Sequence, residues 1–182
     1  MKKHQSGEEI RLEKQDMLTR VLFVIYLLAL TWLILFKLQF SVPEMNGRQI
    51  INLIPLAGSF DDNGVIQFSE IRLNVLAFIP LGIYLGMLQA QWSFVKKLLA
   101  IVGLALAFEI IQFIFVIGRA DITDVLGNTL GGIVGIGIYT WLTKLLKGRA
   151  NRLITLFAAT STILALLLVA LLLISHRWVR IQ

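Results

Sequence analysis

Long apolar segments recur along the whole chain and constrain its fold more than any other feature. Five of them, each 18 to 22 residues long, lie at about 17–36, 73–90, 98–118, 124–143 and 153–174. A helix of about 20 apolar residues crosses the ~30 Å hydrocarbon core of a bilayer. Only 15% of the residues are charged and the mean hydropathy is +0.80, whereas soluble domains have about 25% charged residues. The pattern predicts an all-α, polytopic membrane bundle of about five transmembrane helices.

The distribution of basic residues predicts how this bundle is oriented. Eleven of the 17 Lys and Arg residues fall in the first 20 residues and in the connections 91–97 and 144–152, and six fall on the other side. Because cytoplasmic connections carry the excess of Lys and Arg, we expect the N-terminus in the cytoplasm and the C-terminus on the other side of the membrane. The expected organisation is a polar cytoplasmic tail (1–16), one transmembrane domain (17–174) and a short extracytoplasmic tail (175–182). The net charge of +6 thus reflects topology and not nucleic-acid binding.

The longest connection between spans contains a short apolar piece, "IINLIPLA" at 50–57. Eight residues cannot cross a bilayer, so we expect an interfacial or re-entrant segment on the outer side. "NLIPLAG" (52–58) and "NVLAFIPLG" (74–82) each pair an asparagine with Ile-Pro-Leu, an echo too short to count as an internal repeat. In the second of these, Pro80 lies inside a predicted span, which neighbouring helices make tolerable by pairing the backbone groups that proline frees.

Polar side chains within the spans concentrate near the predicted outer ends. Glu109 and Gln112 are three residues apart and share one helix face, and Asp124 and Asn128 share another. Since a charge at mid-bilayer costs about 2.5–3.5 kcal/mol or more, Glu109 is expected to face the bundle interior with a partner. The candidate binding residues are the polar side chains near the outer ends of the second to fourth spans: Arg72, Asn74, Glu109, Gln112, Arg119, Asp121, Asp124 and Asn128.

Two further expectations concern the fourth span and the partner of Glu109. Asp121 or Thr123 is suited to the N-cap of this span, since Asp and Thr accept hydrogen bonds from the first turn of a helix. Glycines recur every fourth residue at 127, 131 and 135, a small-xxx-small ridge that favours close helix packing. Arg72 and Arg119 are the cations expected within reach of Glu109.

The segments "NVLAFIPLG", "FEIIQ" and "GRADITDVLGNTLGGIVG" resemble the series of motifs in VanZ-like membrane proteins. The resemblance extends from about Asn52 to Tyr139. It implies a membrane protein of the bacterial envelope, because the family's named member confers resistance to teicoplanin, a glycopeptide that acts outside the cytoplasmic membrane. The resemblance implies no chemical mechanism. Its motif positions in this chain are Asn74, Pro80, Glu109, Gln112, Arg119, Asp121, Asp124 and Asn128.

Two classes of function stay open at this point, and the preferred one is binding. An outward-facing polar pocket would hold the head of an amphiphile, either a lipoglycopeptide or a lipid-linked wall precursor, and so lower susceptibility to the antibiotic. Arg72 and Arg119 would contact phosphate or carboxylate oxygens, and Asn74, Gln112 and Asn128 would set orientation. Membrane lipids are the expected partners, and an oligomer is possible.

The alternative is an intramembrane enzyme that modifies an envelope lipid or lipid-linked wall precursor. Glu109 would be its acid or base, and Asp121 or Asp124 its base or metal ligand. Against this, His4 and His176 lie in the tails, and neither a zinc-ligand spacing nor a phosphate-binding loop is present. We therefore predict no cofactor and no metal. A small transporter is a third option, and a chain of 182 residues would then have to oligomerise.

Overall fold

The computed structural model describes residues 2–36, 51–56, 68–116 and 120–179. Five long helices account for most of these residues: α1 (Lys2–Phe36), α2 (Phe68–Leu88), α3 (Phe94–Phe115), α4 (Ile122–Leu146) and α5 (Ala150–Val179). A single 3₁₀ turn, Lys147–Arg149, joins α4 to α5, and two short strands, β1 (Ile51–Asn52) and β2 (Ala120–Asp121), pair in parallel. The all-α prediction is confirmed, and the predicted spans fall on these five helices.

Four stretches of the described residues are long and apolar enough to cross a membrane: Glu13–Leu35, Phe68–Leu88, Phe94–Phe115 and Ile122–Leu164. This is one fewer than the five predicted spans. The difference lies at the short turn after α4, because the last stretch contains all of the predicted fourth span and the first part of the fifth. It is 43 residues long, about twice the length that one crossing needs.

The tightest helix pair is α2 with α4, and glycines make it possible. A methyl group at Gly131 would overlap the backbone carbonyl of Val75, and one at Gly135 would overlap the carbonyl of Ile79. From the other side, Gly82 packs against the α4 backbone at Gly132. The predicted glycine ridge is thus confirmed as a packing surface, and it allows α2 to pack closely against α4.

Pro80 interrupts the backbone ladder of α2, and α1 supplies a side chain at that point. Proline has no N–H and its ring crowds the carbonyl one turn earlier. The Tyr26 hydroxyl donates to the carbonyl oxygen of Ala77 over 2.7 Å and accepts from the N–H of Leu81 over 3.1 Å. These are the two groups that an unbroken helix joins directly. The neighbouring helix therefore bridges the weakened turn, as expected for a proline within a span.

The hydrophobic core lies between the first four helices. Leu30 and Ile34 of α1 pack in one cluster with residues of α2, α3 and α4. At its centre the rings of Phe78 and Phe108 meet edge to face, with centroids 6.2 Å apart, a favoured geometry for aromatic pairs. This core lies directly below the end of the bundle where α4 begins.

The first helix also contacts α5, at the end of the bundle where α4 ends. The hydroxyls of Thr19 and Thr155 are 2.9 Å apart. At the same end, α4 contacts α5, because the Tyr139 hydroxyl donates to Asn151 over 3.0 Å. This end, which we call the basic end, carries Lys144, Lys147, Arg149 and Arg152 of the α4–α5 turn.

Candidate functional site

Asp121 organises the opposite end of the bundle, where α4 begins. It is the N-cap of α4, and its Oδ1 accepts the backbone N–H of Thr123 over 2.7 Å. Its Oδ2 accepts from the side-chain amide of Asn52 over 2.9 Å. Its own backbone N–H donates to Oε2 of Glu109, 2.7 Å away. One residue thus ties the start of α4 both to β1 and to α3, and the N-cap prediction is confirmed for Asp121.

The segment 51–56 packs against the N-terminus of α4. Its strand pairs Ile51 with Ala120 and Asn52 with Asp121, and the backbone N–H of Leu56 donates to the Thr123 hydroxyl over 2.9 Å. Leu56 has a positive φ of 67°, a conformation that costs energy for a residue with a side chain. The described part of "IINLIPLA" therefore does not cross the bundle but lies over the first turn of α4.

A second asparagine reaches a second aspartate from α2. The Asn74 amide donates to Oδ1 of Asp124 over 2.7 Å, and Asp124 is 8% exposed. The two asparagines of the "NLIP" and "NVLAFIP" segments therefore bind the two aspartates of "DITD". We call the side chains joined in this way the polar network: Asn52, Asn74, Glu109, Asp121, Thr123 and Asp124.

Two buried amides next to the network keep hydrogen-bonding atoms without a partner. Asn128, one helical turn after Asp124, is 0% exposed, and neither its Nδ2 nor its Oδ1 bonds to any described residue. Gln112 is 1% exposed; its Nε2 donates to the Ile34 carbonyl over 3.0 Å, while its Oε1 finds no partner in the described part of the chain. Most buried polar atoms in folded proteins are paired, so such atoms require an explanation.

The structure brings the predicted site residues that it describes to this end of the bundle, but Arg72 does not pair with Glu109. Arg72 is exposed on the second turn of α2, and no salt bridge joins it to Glu109 among the described residues. The Glu109 carboxylate instead accepts the backbone N–H of Asp121. Arg119 lies outside the described residues.

Asn52 and the hydroxyl of Thr123 belong to the network, although sequence reasoning did not include Asn52 in the site and gave Thr123 only an N-cap role. The asparagine and Ile-Pro-Leu that 52–58 shares with 74–82 were the available signal for Asn52. For Thr123 the signal was its position next to Asp121, but its bond to the Leu56 backbone has no counterpart in the sequence pattern.

In the contacts described, the carboxylates of the network act as hydrogen-bond acceptors for amide N–H groups. No group of three or more His, Cys, Asp or Glu side chains suited to a metal ion occurs among the described residues. Asn128 and Gln112 keep polar atoms that could bond to another molecule. The arrangement is therefore suited to orient a hydrogen-bonding group inside the bundle.

The helices and the network together define a multi-pass membrane protein with a buried polar network at one end of its first four helices. The chain belongs to the VanZ/LLP1 family, whose sequence model matches residues 23–144. It is 35% identical over 167 residues to "Protein VanZ" of Enterococcus faecium, covering 91% of this chain and 96% of that protein. No solved structure matches the chain. The family resemblance of the three motifs is confirmed, and the match includes every residue of the polar network.

Proposed function

We propose that this protein lowers the susceptibility of a bacterial cell to lipoglycopeptides such as teicoplanin, and that it does so by binding the head group of an amphiphile at the polar network. Family membership and the similarity to Protein VanZ of Enterococcus faecium support the first part. The amphiphile is a lipoglycopeptide or a lipid-linked wall precursor, since both combine a lipid tail with a polar head.

The binding proposal rests on Asn128, a buried residue whose side-chain amide has no hydrogen-bond partner among the described residues. An unsatisfied buried polar group costs about 1–3 kcal/mol, and Asn128 leaves two such atoms inside the bundle. A residue kept only for helix packing gains nothing from an amide that bonds to no neighbour. A bound head group supplies the missing partners and offsets that cost.

The proposed location is the bacterial cytoplasmic membrane, with the polar network facing outward. The excess of basic residues at the other end of the bundle supports this orientation, because Lys and Arg concentrate in cytoplasmic connections. The network then lies in the outer leaflet, where it is accessible to an antibiotic that acts outside the cytoplasmic membrane.

The cell-level test is expression of the chain in a susceptible Gram-positive host. We expect a higher inhibitory concentration of teicoplanin in expressing cells than in cells with an empty vector. Vancomycin, measured in parallel, shows how far the effect depends on the particular glycopeptide. Equal sensitivity to both drugs with and without the protein would contradict the proposed function.

A pair of matched variants tests the role of the network. Asn128→Leu has a similar volume and removes both unpaired atoms, so we expect the melting temperature to stay the same or rise while the teicoplanin effect is lost. Asn151→Leu makes the same change at the basic end, where Asn151 accepts a bond from Tyr139, and is expected to keep the effect. If Asn128→Leu keeps full resistance, the head group does not bind there.

A further inference from the structure

The basic end of the bundle carries positive charge without acidic side chains in the same helices to neutralise it. Its four cations, Lys144, Lys147, Arg149 and Arg152, are all exposed, and none of them forms a salt bridge with a described residue. The sequence from residue 125 to residue 182 contains neither Asp nor Glu. Cations that lie so close together repel one another, so an anion placed among them is attracted.

The first helix reaches the same end but adds no net charge to it. The contact between Thr19 and Thr155 places this part of α1 beside the start of α5. Residues 13–20 contain two acidic and two basic side chains, and the Asp16 carboxylate is 2.9 Å from the Arg20 guanidinium. The charge of the α4–α5 turn is therefore not cancelled from α1.

Exposed apolar side chains accompany these cations on both helices. On α4, Trp141 is 62% exposed and lies three residues before Lys144, hence on the same helix face. On α5, the exposed Leu156 lies four residues after Arg152 and shares its face. Because α4 ends and α5 begins here, both apolar side chains lie deeper in the bundle than the charges. This order matches that of the phosphate and the acyl chains in a phospholipid.

The turn also holds a lysine in a backbone conformation that suits glycine. Lys147 ends α4 with a positive φ of 48°, which is uncommon for a residue with a side chain. Glycine adopts such angles without steric cost, and Gly148 stands only one position later. A lysine at this position costs backbone energy and adds a charge, which a turn with only a connecting role does not require.

We propose that the basic end binds an anionic phospholipid, with its phosphate held by the four cations and its acyl chains along the exposed apolar faces of α4 and α5. Arginine pairs with phosphate oxygens through two N–H groups, and each basic residue near an anionic membrane surface strengthens binding by about fivefold. This site lies at the opposite end from the polar network, so it does not depend on the proposed function. In the proposed orientation, the lipid comes from the inner leaflet.

Competition between two lipids with identical acyl chains tests the proposal. The full chain is extracted in detergent from vesicles that contain equal amounts of phosphatidylglycerol and phosphatidylcholine, and native mass spectrometry counts the lipids that stay bound. We expect phosphatidylglycerol to exceed phosphatidylcholine at least about tenfold. The pair Lys144→Gln and Lys147→Gln is expected to reduce this ratio to less than about threefold, because it removes two of the four charges.

Two controls separate charge at this end from other effects, and the melting temperature of each variant confirms that it is folded. The pair Lys144→Arg and Lys147→Arg keeps the charge, and Arg72→Gln removes a charge at the opposite end, so both are expected to keep the lipid preference. An unchanged preference in the glutamine pair, or an equal loss in Arg72→Gln, would overturn the proposal.

Glycerol phosphate, which has the head group without the chains, separates a lipid from a soluble phosphate compound. Since the apolar faces of α4 and α5 contact only the lipid chains, we expect millimolar glycerol phosphate to leave the bound phosphatidylglycerol in place. Its complete displacement would assign the site to soluble phosphates and contradict the lipid proposal.

Discussion

The Tyr26 hydroxyl is expected to stabilise the proline-containing turn of α2, and Tyr26→Phe removes it without changing the ring. The hydroxyl contacts the Ala77 carbonyl at 2.7 Å and the Leu81 N–H at 3.1 Å. Leaving a buried backbone group unsatisfied costs about 1–3 kcal/mol, whereas interhelical hydrogen bonds in membrane proteins average about 0.6 kcal/mol in double-mutant cycles. Since Leu81 and Ala77 can partly re-form their direct helical bond, we expect a loss of about 1–2 kcal/mol.

Reversible unfolding in mixed detergent micelles measures this loss, and Tyr84→Phe is the matched control. The Tyr84 ring lies next to the Tyr26 ring, with the two centroids 5.6 Å apart. Its hydroxyl bonds to no residue in the described ranges, so its removal breaks no hydrogen bond and is expected to lower the free energy of unfolding by less than the ~0.5 kcal/mol of a weak one.

A Pro80→Ala background tests the physical reason. Alanine restores the backbone N–H and removes the ring that crowds the preceding turn, so the hydroxyl has less to compensate. The cost of Tyr26→Phe is then expected to shrink by at least about 0.5 kcal/mol, which a double-mutant cycle resolves. Equal costs for the two tyrosine variants, or an unchanged cost in the alanine background, would refute the reasoning.

Three other perturbations have defined outcomes. Gly131→Ala places a methyl group against the α2 backbone and is expected to lower the free energy of unfolding by about 1–3 kcal/mol. Gly127→Ala is expected to be tolerated, because its methyl would lie 3.5 Å from the Asn74 Cβ. Equal losses for the two variants in the same unfolding assay would contradict this packing. Glu109→Gln keeps an oxygen for the Asp121 N–H, so a binding protein is expected to retain most of its teicoplanin effect, whereas near-complete loss in a folded variant would favour the enzymatic alternative. The chain has no cysteine, so single cysteines can report the orientation. A membrane-impermeant maleimide is expected to label Leu53→Cys on intact cells and Gly148→Cys only after permeabilisation. The reverse pattern would overturn the proposed orientation.

The helices could be predicted because their signals are local. Apolar segments of bilayer length fix where α2 and α3 lie, and the preference of aspartate for the N-cap identifies the start of α4 at Asp121. The glycines at 127, 131 and 135 indicated a close helix contact, and the structure identifies α2 as the partner.

The connections within the site could not be predicted, because sequence spacing specifies faces within one helix and not contacts between distant segments. Asn52 and Asp121 are 69 residues apart in sequence, and nothing local signals that they meet. One partner of Glu109 is the backbone N–H of Asp121, a donor that every residue except proline has. A search among charged side chains, which named Arg72 and Arg119, could not find it. The unpaired state of Asn128 likewise depends on what surrounds it and not on its place in the motif.

A crystal structure of the chain grown in a lipid phase with dodecyl glucoside tests the central claim most directly. The account predicts non-protein density inside the bundle, within hydrogen-bonding distance of the Asn128 amide. An Asn128 side chain bonded only to neighbouring protein groups, with no density beside it, would contradict the claim that the polar network is a head-group site.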